Sequence, residues 1–391
     1  MDSGVQKNSE IERLRGLAVI MTIVAHAEFF KPLIPSLAHA SWAGVDLFFV
    51  ISGFLVSQSL LKLLPDFDTA ISFLDKLKMS RSALKLFFVK RAFRILPAAL
   101  VWILVPFSIA CLGLLFNLNL HHFLHPTKYI MEFVSFVTGT YNYALTWGLS
   151  NGIGVYWSLS VEEHFYFLLP FFFIAASSNQ KRLFWIIISI LLIVFVIRPW
   201  YPFTGPAGNL WMWERITSHN KFDAIFSGVI LGLLKQENFW TEGYKFKNAT
   251  GAAIFSYLLF FFLWTLPAIL PFHFMHQFGF VSLWVISGIL VYLASLGNNY
   301  ILGWKGVSSS FEYLGSRSYS LYLNHNVVYV IRQEILSKNL LPSEWVVNPL
   351  GVSVQFLVCF LIMILFAEIT YRFIETRFIE LGRQFWKLRE T

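Results

Sequence analysis

Long apolar blocks, rather than alternating positions, organise this chain. The run from Ile186 to Val196 is apolar but for Ser189, and blocks of similar character recur from one end to the other. Many approach the roughly 20 residues that a helix needs to cross a hydrocarbon core. The period-two alternation of an outer-membrane barrel is absent, so the pattern predicts an all-α fold, a polytopic transmembrane helix bundle. Hydropathy and breakers together place about ten spans, over 13–30, 42–61, 95–117, 155–176, 183–199, 222–234, 249–267, 278–296, 316–334 and 350–371. The span at 222–234 is the shortest.

Charge then sets an orientation. Both ends and the segments 62–94, 178–182, 235–248, 297–317 and 372–391 hold most of the 30 Lys and Arg residues, which predicts that they lie with both termini in the cytoplasm. Segments 118–154 and 200–221 would then face outward. In and beside them Trp147, Tyr156, Trp157, Trp211 and Trp213 suit a lipid interface or a sugar site.

Composition excludes several classes. With 57% hydrophobic and 13% charged residues, a soluble fold would expose apolar surface on a scale that aggregates. The net charge of +8 follows from topology and anionic membrane lipid, so it gives no support to nucleic-acid binding. Cys111 and Cys359 both sit in apolar runs and form neither a disulfide framework nor a metal-ligand pattern. No phosphate-binding glycine loop marks a nucleotide-hydrolysing domain. Lys7, Arg13 and Arg15 before the run Leu17 to Val24, with Ala25-His26-Ala27 after it, resemble a cleaved signal peptide, but cleavage would remove Arg15 and His26. An uncleaved first span is expected.

Ionisable groups inside spans are costly and usually face a cavity, a partner or a substrate. His26, Asp46 and Glu162 fall on three different spans at depths of roughly 6 to 11 Å below the outer boundary. A neutral histidine can take the proton of an attacking hydroxyl while a carboxylate orients its ring, which makes His26 the candidate base and Glu162 and Asp46 its candidate partners. Each also has a structural reading, His26 as a ring bonded to a carbonyl and the acids as helix-bundle glue. Eleven residues separate Arg15 from His26; on a helix that is three turns plus about 20° and a rise of about 16 Å, so both share one face. Arg15 can grip an anionic phosphate of coenzyme A while the pantetheine arm reaches towards His26, or it can simply anchor the span. Arg91 and Arg94 share a helix face beside Lys90 with the same two readings. Ser318, Tyr319, Tyr322 and His325 recur at helical spacing, as a cavity-lining face or as interhelical glue.

Five stretches in order carry a resemblance. They are Ile11-Glu12-Arg13-Leu14-Arg15-Gly16-Leu17-Ala18 through His26; Gly44-Val45-Asp46-Leu47-Phe48-Phe49-Val50-Ile51-Ser52-Gly53-Phe54-Leu55; Lys90-Arg91-Ala92-Phe93-Arg94-Ile95-Leu96-Pro97; Trp157-Ser158-Leu159-Ser160-Val161-Glu162-Glu163-His164-Phe165-Tyr166; and Leu314-Gly315 through Asn324-His325. Together they resemble the acyltransferase-3 family of membrane acyltransferases. The resemblance implies an acyl-CoA co-substrate, acetyl-CoA foremost, no permanently bound cofactor, and transfer across the bacterial inner membrane to a surface or lipid-linked glycan. It places Arg15, Arg91, Arg94, Ser52, Tyr319 and His325 with the donor and His26, Glu162 and Asp46 in catalysis. Asn324 departs from the tryptophan often found before the last histidine. No counterpart of the family's fused extracytoplasmic esterase-like domain follows the last span, so a single membrane domain over 1–391 is expected. A succinyl or longer acyl group would fit the same fold. A transporter or flippase remains the non-enzymatic alternative, and inverted repeats, which would favour it, are not evident.

Overall fold

The computed structural model describes residues 8–35, 40–67, 71–149, 154–200, 214–271, 274–338, 345–346 and 348–387, and among them the chain is helical with no strand. Trp211 and Trp213 lie outside the described residues. The helices that matter for the site are α1 (Ser9–His26), α2 (Ala43–Leu61), α3 (Arg81–Leu115), α4 (Tyr156–Ala175), α5 (Asn179–Leu192), α6 (Ser218–Gln236), α7 (Ala249–Ile269), α8 (Phe280–Ser295), α9 (Val307–Ser316), α10 (Ser318–Ser337) and α11 (Pro349–Thr370). Helix therefore covers part or all of every expected span. Among the described residues five stretches are long and apolar enough to cross a membrane by themselves: Ala43–Leu61, Arg81–Leu115, Asn179–Ile197, Ala249–Ile269 and Pro349–Phe385. Their lipid-compatible surfaces are plain in exposed side chains such as Phe184, Trp185, Phe261 and Leu361. Helices α1 and α10 are less apolar because they carry the polar groups described below.

Two boundaries differ from the hydropathy reading in ways that move site residues. Helix α1 ends at His26, where Ala27 leaves helical geometry (φ −80°, ψ 68°) and its N–H turns back to Val24. His26 is thus the last residue of the helix and not several residues inside a span reaching 30. Helix α3 begins at Arg81, 14 residues before the expected span at 95–117, and runs through both Pro97 and Pro106. A membrane helix tolerates the missing amide because neighbouring groups meet the freed backbone; here the Tyr319 hydroxyl donates to the Ile95 carbonyl at 2.7 Å. Arg91 and Arg94 consequently stand inside the helix, about three to four turns beyond its first residue.

Two close helix crossings fix the arrangement. Helices α1 and α9 touch at Gly16 and Gly315, where a Cβ on Gly315 would lie 1.8 Å from the Glu12 carbonyl oxygen. Helices α2 and α6 meet through Gly53 and Gly228, where a Cβ on Gly228 would lie 2.0 Å from the Val50 oxygen. Small residues of this kind let membrane helices approach backbone to backbone. Gly228→Ala should therefore force α6 away from α2 and lower stability by about 1 to 3 kcal/mol or more, read as a reduced thermal unfolding midpoint in detergent. A wild-type midpoint would show that the crossing relaxes freely.

Candidate active site

Five helices converge on one cavity of about 120 Å³, lined by Arg15 of α1, Val45 to Val56 of α2, Arg91 to Ile95 of α3, Ser158 to Tyr166 of α4 and Ser318 to Tyr322 of α10. The five sequence stretches that carried the resemblance are thus its five walls. Of the nine site residues expected from sequence, Arg15, Ser52, Arg91, Arg94, Glu162 and Tyr319 line it together.

Three guanidiniums surround this space. Arg15 donates to Glu12 at 3.2 Å, Arg91 lies over the Tyr166 ring at 4.9 Å, and Arg94 stands exposed beside them. Among the described residues Arg91 and Arg94 have no ion pair. The carboxylate in the lining is Glu162, which accepts from the Tyr166 hydroxyl at 2.8 Å; that hydroxyl also meets Ser52 Oγ at 2.6 Å. Positive charge outweighs negative charge here, and guanidiniums are suited to phosphate oxygens. Ser318 Oγ is buried in the lining with no partner among the described residues, a free hydroxyl of the kind a ligand amide can meet.

The histidines stand beyond Tyr322. That residue lines the cavity, with its hydroxyl at 2.6 Å from Ser158 Oγ and 2.9 Å from the Val155 carbonyl, and its ring lies 5.7 Å from His325. His325 is fully buried and Nε2 meets His26 Nδ1 at 3.2 Å. Its own Nδ1 lies 2.7 Å from the Tyr322 carbonyl, and His26 Nδ1 lies 2.9 Å from the Thr22 carbonyl. A carbonyl only accepts, so both Nδ1 atoms carry the hydrogen. The His26 Nδ1–H is then shared between Thr22 O and His325 Nε2, which leaves His26 Nε2 unprotonated and without a hydrogen-bond partner among the described residues. Two backbone carbonyls and a second imidazole thus fix the tautomer of a free basic nitrogen.

This differs from a carboxylate-oriented histidine. Glu162 bonds Tyr166, and Asp46 forms a buried pair with Lys221 at 2.6 Å. Similar depth does not bring the three groups into one hydrogen-bonded set, because helical phase turns Asp46 towards α6 and Glu162 towards α3. Likewise His325 lies against His26 rather than in the cavity lining. Lys221 was missed because its charge excluded it from the short apolar segment at 222–234; the signal available was Lys221 and Asp223 flanking the start of an apolar run. Beside that pair, Arg198 and Asp223 meet at 2.7 Å, also fully buried.

The described residues thus form an all-helical bundle with membrane-length helices and a cation-rich cavity beside a histidine pair. The chain belongs to the acyltransferase-3 family, whose profile, described as an acyltransferase domain, matches residues 8–368. It is 27% identical over 380 residues to peptidoglycan O-acetyltransferase OatA of Listeria monocytogenes, covering 94% of this chain and 55% of that protein. The putative peptidoglycan O-acetyltransferase YrhL of Bacillus subtilis is 26% identical over 378 residues, covering 93% and 54%. A putative O-acetyltransferase of Staphylococcus aureus is 27% identical over 402 residues, covering 95% and 57%. The chain thus spans little more than half the length of these relatives. No solved structure matches it.

Proposed function

We propose that this chain transfers an acyl group, acetyl foremost, from cytoplasmic acyl-CoA to a hydroxyl of an extracytoplasmic or lipid-linked glycan, with peptidoglycan as the first acceptor to test. The carrying observation is the cluster of Arg15, Arg91 and Arg94 around one cavity lined also by Tyr322, whose ring lies 5.7 Å from His325 of the His26–His325 pair. The guanidiniums hold the donor's phosphates, and the narrow cavity receives the pantetheine arm and acyl group. Its volume is well below the roughly 300 to 1,000 Å³ of sites that enclose a whole ligand, so the nucleotide end stays at the basic mouth. The order of polar groups fits a bacterial inner-membrane protein with both termini cytoplasmic, the donor entering at the Arg15 end and the acceptor at the His26 end.

In the reaction, His26 Nε2 removes the proton of the sugar hydroxyl as its oxygen attacks the thioester carbonyl. The tetrahedral adduct collapses with cleavage of the C–S bond, the thiolate takes a proton from the imidazolium, and free CoA and a glycan ester result. His325 holds the His26 ring through the transfer. Glu162 and Tyr166 keep Arg91 in place at the mouth, and Asp46 fixes α2 to α6 through Lys221.

The purified chain in nanodiscs, given isotope-labelled acetyl-CoA and cell-wall glycan, should place base-labile acetyl on muropeptides, detected by mass spectrometry. No label on any glycan would overturn the reading. Arg15→Ala and Arg91→Ala should each weaken acetyl-CoA binding by roughly 10- to 100-fold, since a charge-assisted contact contributes about 1.5 to 3 kcal/mol. Unchanged affinity in both would remove the basic-mouth site.

A further inference from the structure

A second group of cations surrounds the rings of Trp42 and Phe280 at the His26 end, and one member of it has no use in the scheme above. Arg198 lies over Phe280 at 5.2 Å and is neutralised by Asp223. Lys221 lies over the same ring at 4.1 Å and is neutralised by Asp46. Arg215 lies over Trp42 at 4.7 Å, and among the described residues it has neither an ion pair nor a hydrogen bond. Asp46 and Asp223 are each paired at hydrogen-bond distance with another cation, Lys221 and Arg198, and neither makes a direct ion pair with Arg215. It is half-buried, and its charge acts on His26, Asp46 and Tyr322. Stacking on an indole orients a guanidinium's plane and leaves its N–H edges available, the arrangement used for bidentate capture of an oxyanion. A guanidinium withdrawn from water without a counter-ion is costly, and a ligand that supplies one recovers that cost.

We infer that Arg215 reads an anionic group, a carboxylate or a phosphate, carried by the acceptor close to the hydroxyl that His26 deprotonates. The inference rests on the acyl-transfer reading and sharpens it: the acceptor is an acidic glycan or a glycan still on a phosphate-linked carrier. Sequence gave no hint of it, because Arg215 follows a segment of mixed polarity and belongs to none of the five motif stretches.

Binding tests this without turnover. The wild-type chain in nanodiscs, without donor, is titrated calorimetrically with a tetrasaccharide containing muramic acid with a free lactyl carboxylate. It is then titrated with the same glycan after reduction of that carboxyl to an alcohol, and with the reduced glycan on a polyprenyl pyrophosphate. At least one anionic ligand should bind roughly 10- to 100-fold more tightly than the neutral one, with the advantage shrinking at high salt. Arg215→Gln should erase that advantage while leaving neutral-glycan and acetyl-CoA affinity as in wild type, and Arg215→Lys should restore part of it. Which anionic ligand loses affinity names the source, sugar carboxylate or carrier phosphate. Equal wild-type affinity for all three ligands, which needs no variant, would overturn the inference, and so would an equal loss for all three in Arg215→Gln. If discrimination by Arg215 holds while the wild-type chain acylates nothing, the anion site stands and the acyl-transfer reading falls.

Discussion

Replacing His26 with glutamine should cut glycan acylation by about 10²- to 10⁴-fold, the usual contribution of a general base. Glutamine preserves size and can still donate to the Thr22 carbonyl, which now accepts from Nδ1 at 2.9 Å, but it cannot take up a proton near neutral pH. Folding, abundance and acetyl-CoA binding should remain near wild type, because α1 ends at this residue and glutamine fills a similar volume against His325. Measurement is by ester-linked acetate on muropeptides against protein amount. His325→Gln should show a smaller loss, since it removes an orienting partner and leaves Nε2 of His26 in place. Wild-type acylation by His26→Gln would end the general-base mechanism while leaving the donor cavity intact.

Lys221→Met should be the most damaging single change to stability. Both side chains of the Lys221–Asp46 pair are almost completely buried, at 2% and 3% exposure, and removing one partner strands the other charge, at a cost of about 3 to 5 kcal/mol. Membrane-inserted protein should fall sharply and its unfolding midpoint with it. The double variant Asp46→Asn with Lys221→Met should recover most of that loss, since no unpaired charge is then buried. Failure of the double variant to recover abundance would mean that the pair is needed for something other than mutual neutralisation. Acylation by the recovered protein reports separately whether the Asp46 charge enters the reaction.

Much of the bundle was legible in the chain because a membrane helix must be apolar over a fixed length. The segments at 42–61, 155–176 and 249–267 match helices Ala43–Leu61, Tyr156–Ala175 and Ala249–Ile269 closely. Prediction failed where a polar or proline-bearing stretch continued a helix. The charged segment up to 94 was placed outside the third span, yet Arg81 to Leu115 is one helix that runs through Pro97, with a carbonyl near it met by a neighbour. The end of α1 was placed too late because Phe29 and Phe30 resume the apolar run after Glu28, while the turn at Ala27 depends on local hydrogen bonding.

By itself the sequence determined the fold class, the all-α membrane character and the family motifs, since these depend on apolar length and on residue types at helical spacing. It also determined that Arg15 and His26 share a face, because both sit on one helix of known pitch. Only the tertiary structure decided which groups meet. Motifs separated by up to some three hundred residues form five walls of one cavity, Asp46 turns to Lys221, and His325, 299 residues from His26, sets its tautomer. Such pairings depend on helix rotation and on glycine crossings such as Gly53 with Gly228, and a hydropathy pattern contains the depth of a residue but not the azimuth at which a second helix will meet it.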